Sequence, residues 1–229
     1  MKENVYLNTT KKFYDFFRDL FYAISIISIS VLSVLNMTIV YKYVIQKYEL
    51  NNYTGLSTEI LMDNYNRVIN YVQNPFDHEL VLNSLTMSNF GKIHFYEVKR
   101  IFIALYIFSI IFIILMIFKL VKLMGNKRSK QGKKLVESFN RSVNIIAIIF
   151  AIISAATIID FPKTFYIFHK IFFRNDYWIF DPVTDPIINA LPEELFMIEL
   201  ILILTLLIIF TGIIKVLHSK NVTASKGKM

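Results

Sequence analysis

Residues 101–118 read IFIALYIFSIIFIILMIF, eighteen positions without a charge, a glycine or a proline. The run lacks the apolar–polar alternation of a barrel strand and is rich in Ile, Leu and Phe. It therefore reads as a helix crossing a bilayer, which takes roughly 20 apolar residues. Three further stretches share this character: 21–40, 143–159 and 196–214, the last with one carboxylate, Glu199, inside it. The expected fold class is an all-α membrane protein with four transmembrane helices. The first stretch is longer than the roughly 7–15 apolar residues of a secretory signal, and no small-x-small cleavage site follows it. It reads as a retained anchor.

Composition agrees with that reading. Of 229 residues, 55% are hydrophobic and only 18% charged, and the mean hydropathy is +0.50. Such a chain has too little polar surface to cover a soluble globule. There is no cysteine, which excludes disulfides, thiolate metal sites, a cysteine nucleophile and lipid anchoring through the chain's own thiol. The six glycines, at 55, 91, 125, 132, 212 and 227, are too scattered for a dinucleotide fingerprint, and no phosphate-binding G-x-x-x-x-G-K-[ST] occurs.

The net charge of +8 is resolved by where the charges fall. The segment before the first span, the 119–142 loop and the residues after 214 together hold sixteen Lys/Arg against four acids. The 41–100 and 160–195 segments with the boundary residues beside them hold nine Lys/Arg against twelve acids. By the positive-inside rule both termini and the 119–142 loop are expected to be cytoplasmic, and 41–100 and 160–195 to form an extracytoplasmic cap. The basic run at 125–134 then reads as a positive-inside loop, and no nucleic-acid partner is expected. The whole of 1–229 is expected to form a single integral membrane domain in a plasma membrane, acting as a monomer.

The first outer segment is too long to be a simple connector. Asp63 is placed to cap a short helix ended by Pro75, in which Tyr65, Val68, Ile69 and Val72 share one stripe. This helix rests either on the membrane surface or in the packing of the outer cap. Ser25, Ser28 and Ser33 look like small-residue packing contacts between helices, Glu199 should face the bundle interior or reach up into the cap, and the tail from Ser219 reads as disordered.

Candidate catalytic groups are few, and histidine is the most informative, because a neutral imidazole accepts and returns protons near physiological pH. His218 and His78 fall in solvated segments. His94 lies seven residues before the second span, roughly 10 Å outside it if that stretch is helical. His169 lies within the aromatic run Phe165–Phe173, of the kind that marks a membrane–water boundary. Two distant parts of the chain thus deliver a histidine to the outer interface at similar depth. Glu97, three residues after His94, is placed to orient the imidazole. Asn175, Asp176, Trp178, Asp181 and Asp185 follow His169. The competing reading of the same residues is a polar cap with incidental histidines. A metal site has little support, as no H-x-x-x-H or H-x-x-E-H spacing occurs. Ser88 and Thr164 stand near the histidines, but no G-x-S-x-G elbow marks a serine nucleophile.

Three stretches carry a family resemblance: 64–71, beginning Asn64-Tyr65 and ending at Tyr71; 88–99, SNFGKIHFYEVK, similar to a S-x-x-G-x-x-H-F-x-[DE]-V-K pattern; and 168–182, FHKIFFRNDYWIFDP, continuing through Asp185 and Leu191-Pro192. With four helices in the same order, the chain resembles the bacterial lipoprotein intramolecular transacylases. The resemblance implies an enzyme whose substrate is a lipoprotein with a diacylglyceryl group on its N-terminal cysteine. The sn-2 acyl chain would move from glycerol to that cysteine's α-amino group, giving a lyso-form lipoprotein. His94 and His169 would be the catalytic pair, with Glu97, Asn175, Asp176, Trp178 and Asp181 supporting them. No cofactor or metal would be needed, since an ester is exchanged for a more stable amide. Membrane lipids would be the surroundings and the lipoprotein the partner. Two other readings remain: another interfacial lipid-ester hydrolase or acyltransferase using the same histidines, and a non-catalytic membrane sensor or assembly subunit.

Overall fold

The five prolines stand at 75, 162, 182, 186 and 192, so none interrupts an apolar run and each run can close its i→i−4 ladder without a break. The computed structural model describes residues 2–124 and 130–226, and these contain helices but no strand. In chain order the helices are α1 (Lys2–Leu35), α2 (Ile39–Lys47), α3 (Leu50–Thr54), α4 (Thr58–Gln73), α5 (Asn89–Met124), α6 (Lys130–Ile159), α7 (Phe161–Phe172), α8 (Ile187–Ala190) and α9 (Glu193–Lys226). Four of them are long and apolar enough to cross a membrane: Thr9–Leu35, Asn89–Leu123, Gln131–Ile159 and Glu193–Thr223.

These helices overrun the apolar stretches that announce them. At 1.5 Å per residue the 36 residues of α5 reach about 54 Å, well beyond a hydrocarbon core of about 30 Å. The expected loop 119–142 is consequently helical at both ends, and within the 125–134 run residues 130–134 belong to α6 while 125–129 lie outside the described residues. The tail expected to be disordered from Ser219 instead continues α9 to Lys226. The first span ends early. Asn36 turns its side-chain amide back onto the Leu32 carbonyl at 2.8 Å, α1 stops at Leu35, and 39–40 open α2.

The chain divides into two compact units. One comprises Met1–Ser30, Ile107–Ser154 and Leu204–Met229. Its core forms around Tyr22 of α1, which stacks on Phe139 of α6 at 5.1 Å and meets Phe112 of α5 edge-on at 5.6 Å. Ser25 and Ser28 are fully buried, their hydroxyls donating to the Phe21 and Ile24 carbonyls of their own helix, which lets a neighbour approach closely. Asp19 is only 3% exposed, and a buried carboxylate is tolerable only when paired. It accepts from the Arg18 guanidinium, the Ser138 hydroxyl and Arg141, tying α1 to α6. Lys215 of α9 donates to Asn140 and Asn144 of α6. Along α5, Ile107, Ile110, Ile114 and Ile117 are half exposed, as expected of side chains whose solvent is hydrocarbon.

The other unit comprises Val31–Tyr106 and Ala155–Ile203. Ser33 belongs here and is exposed, unlike Ser25 and Ser28. The helix start expected at Asp63 lies further upstream: Ser57 is the N-cap, its side chain accepting from Ile60 N–H, while Asp63 sits inside α4 in an ion pair with Arg67 at 2.8 Å. Tyr65, Val68, Ile69 and Val72 do share one stripe, and it packs into the core with Tyr41, Val44, Ile45 and Leu195. Of the two readings of this helix, the packing one holds. Tyr41 stacks on Tyr65 at 4.1 Å, Tyr41 donates to the Ala190 carbonyl, and Tyr65 donates to Glu199 at 3.0 Å. Glu199 thus does reach into this polar packing. Asn64, fully buried, donates to the Asn83 carbonyl and accepts from its N–H, so one amide side chain pins the connector between α4 and α5 as a ladder rung would.

Candidate active site

The first histidine is set by the start of its helix. Ser88 precedes α5 and its hydroxyl accepts from the Gly91 N–H at 3.0 Å, the bond of an N-cap. The Asp185 carboxylate accepts from the Ser88 N–H at 2.7 Å and from the Thr184 hydroxyl at 2.8 Å, placing a negative charge at the positive end of the helix. That carboxylate lies so close that a Cβ at position 91 would come within 2.3 Å of it. The spacing Ser88-x-x-Gly91-x-x-His94 is therefore a cap, a clearance for Asp185, and a histidine one turn further on.

The second histidine closes α7. Asp160 caps that helix by accepting from the Lys163 N–H at 2.9 Å, with Pro162 in the first turn, a proline-tolerant position. His169 sits in the last turn, and its Nδ1 meets the Phe165 carbonyl at 2.8 Å. A carbonyl can only accept, so Nδ1 carries the proton and Nε2 presents the lone pair. Burial pushes the His169 imidazole below its ordinary value, the Phe165 carbonyl working the other way.

The structure brings the two imidazoles together, with ring centres 6.0 Å apart. Each is only 8% exposed. His169 stacks on Trp178 at 4.5 Å and contacts Phe165 at 4.3 Å. His94 is met edge-on by Phe173 at 4.8 Å and Phe180 at 5.5 Å. Both are thus enclosed by aromatic faces, and water has little access to them.

The supporting residues divide. Asn175 donates its amide to Glu97 Oε1 at 2.8 Å, accepts from the Tyr177 N–H, and its carbonyl accepts the Trp178 indole N–H at 3.1 Å. Glu97, Asn175 and Trp178 therefore form one chain of contacts beside the histidines. Glu97 does not orient His94 as expected: its Oε1 faces Asn175, and neither its Oε2 nor His94 Nδ1, both buried, has a hydrogen-bond partner among the described residues. Asp176 and Asp181 stand apart from the ring pair. Asp176 is exposed and pairs with Lys170. Asp181 is exposed, caps a turn by accepting from the Val183 N–H at 2.9 Å, and offers its carbonyl to the Asp185 N–H. Ser88 and Thr164 are spent on helix starts, Thr164 donating to the Asp160 carbonyl, and neither hydrogen-bonds a histidine. The fastening role of Asp185 and the edge-on placement of Phe173 and Phe180 escaped the sequence, since Asp185 lies 97 residues from the Ser88 N–H that it accepts from.

Two buried imidazoles this close together, in a chain of membrane-spanning helices, make a pair suited to moving protons to and from a substrate, the equipment of a general acid–base membrane enzyme. The model of the lipoprotein intramolecular transacylase family, Lit, matches residues 16–196. The chain belongs to that family. Its architecture is similar to solved structures of the membrane-integral transacylase Lit from Bacillus cereus, 26% identical, with a TM-score of 0.79 over 96% of this chain and 99% of that one. Two variants of the same protein, with one histidine replaced by arginine or by alanine, give a TM-score of 0.74 each, covering 100% and 97% of this chain and 99% of theirs. A comparison with curated proteins finds no match.

Proposed function

We propose that this enzyme moves the sn-2 acyl chain of a diacylglyceryl lipoprotein from glycerol oxygen to the α-nitrogen of the same molecule's N-terminal cysteine. The product carries one N-acyl and one O-acyl chain. Attack closes a ring of about eight atoms through Cα, Cβ, sulfur and glycerol, so the encounter is prepaid and proton traffic is what remains for the protein. The observation that carries the reading is the pair of buried imidazoles 6.0 Å apart. One takes a proton from the α-ammonium. The other, His169, has the tautomer for a shuttle: Nε2 takes the proton of the attacking amine and returns it to the leaving glycerol oxygen. Asn175 keeps a second amide N–H for the oxyanion. Trp178, its single N–H already given to Asn175, does not serve there. The aromatic enclosure disfavours hydrolysis, the competing fate of the ester.

The same reading places both termini in the cytoplasm and the histidines at the outer face, with the chain acting as a monomer, one membrane domain surrounded by lipid. Mass spectrometry of lipoprotein N-terminal peptides tests it. In a host that leaves the α-amine free, expression should yield N-acyl, S-monoacylglyceryl peptides. His94→Ala and His169→Ala should each abolish them while the protein still accumulates in the membrane. Product from both variants, or phospholipid turnover without peptide acylation, overturns the reading.

A further inference from the structure

Two buried polar atoms stand unused on one turn of α5. Glu97 Oε2 and His94 Nδ1 are both out of contact with solvent, and neither has a hydrogen-bond partner among the described residues. The carboxylate is held from its other side, Oε1 accepting from Asn175 at 2.8 Å, so its orientation is fixed while one oxygen is left open. Residues three apart on a helix share a face. A buried carboxylate oxygen without a donor is costly, and such a group persists where a ligand supplies the donor.

Given the acyl migration proposed above, the substrate carries a donor of the matching kind. Its α-amino group, with an ordinary pKa near 8, arrives mostly as ammonium at neutral pH. We propose that Glu97 is the recognition site for this α-ammonium: Oε2 accepts one of its N–H bonds while a second points at His94 Nδ1, which removes that proton. The nitrogen, now a neutral amine with its lone pair free, attacks the ester carbon. One of its remaining protons passes through His169 Nε2 to the leaving glycerol oxygen, and the proton on His94 is returned to solvent. One C–N bond forms and one C–O bond breaks, so the ammonium and ester become an amide, a glycerol hydroxyl and one released proton. The contact also selects substrate: a lipoprotein whose nitrogen is already acylated has no charge to offer Oε2.

The test uses the full-length protein in lipid and an ether-linked dialkylglyceryl cysteine peptide, which binds but has no ester to lose, in two forms: free amine and N-acetylated. The wild type should bind the free-amine form about tenfold or more tightly over the acetylated one at pH 7, the size of one charge-assisted hydrogen bond. Glu97→Gln keeps an amide oxygen for Asn175 and should lose that preference, whereas Glu97→Asp should keep part of it. With the ester-linked substrate, Glu97→Gln should fall about tenfold or more in kcat/KM at pH 7, and the deficit should narrow at pH 9, where the amine is already neutral. A preference that survives Glu97→Gln, or a deficit equal at both pH values, overturns the ammonium site. Wild-type protein that transfers no acyl chain overturns the acyl-migration reading instead, so the two failures are distinguishable.

Discussion

At His169 three neighbours decide what the ring can do. The Phe165 carbonyl holds the proton on Nδ1, Trp178 covers one face, and burial keeps the ring neutral. Because its pKa is lowered, the ring stays a competent base below the ordinary histidine value, and the acid limb of a kcat/KM profile governed by it should lie below about pH 6.5. The linked stability has the same sign: it is complete above the unfolded-state pKa and declines as pH falls, since the unfolded chain then binds a proton that the fold resists. Trp178 gives a sharper check. An oxyanion donor removed from an acyl-transfer site typically costs about 10²–10³ in kcat. The indole N–H is committed to Asn175, so Trp178→Phe should cost less than about tenfold, and a larger loss would show that the indole touches the reacting oxygen. The two histidines were legible from residue type and aromatic context. The true partner of Glu97 was not, because Asn175 lies 78 residues away and only the folded cap brings them together.

At the scale of the helix, the start of α5 offers a test in which two effects compete. Glycine inside a helix costs about 1 kcal/mol relative to alanine, so Gly91→Ala would stabilise an isolated helix. Here the new Cβ would lie 2.3 Å from Asp185 Oδ1, and that carboxylate is held by Ser88 and Thr184, so it cannot step aside without losing the cap. The clash should win. Gly91→Ala should destabilise by about 1–3 kcal/mol, read as a lowered Tm in detergent micelles, with activity falling as His94 shifts. The four spans were legible because a bilayer demands uninterrupted apolar length. Helix ends were not: α4 begins at Thr58 behind its Ser57 cap, with Leu61 already in its buried stripe, which places Asp63 in the second turn. The charged extension of α9 past residue 214 likewise shows no apolar signal, although it is helical to Lys226.

For the whole molecule, the side of the membrane that each segment faces can be read by labelling. The chain has no cysteine, so single introduced thiols report without background. Val183→Cys, at a residue 84% exposed, should react with a membrane-impermeant maleimide in intact cells. Lys133→Cys should react only after the membrane is opened, and the reverse pattern would invert the proposed orientation. Finally, Asp185 fastens the segment that follows His169 to the opening turn of the helix bearing His94. Those two stretches are therefore fitted to one another as a lock is to its key. A chimaera that grafts 88–99 from a relative into this chain should misfit unless 168–185 travels with it, so the pair should be exchangeable only as a single cassette.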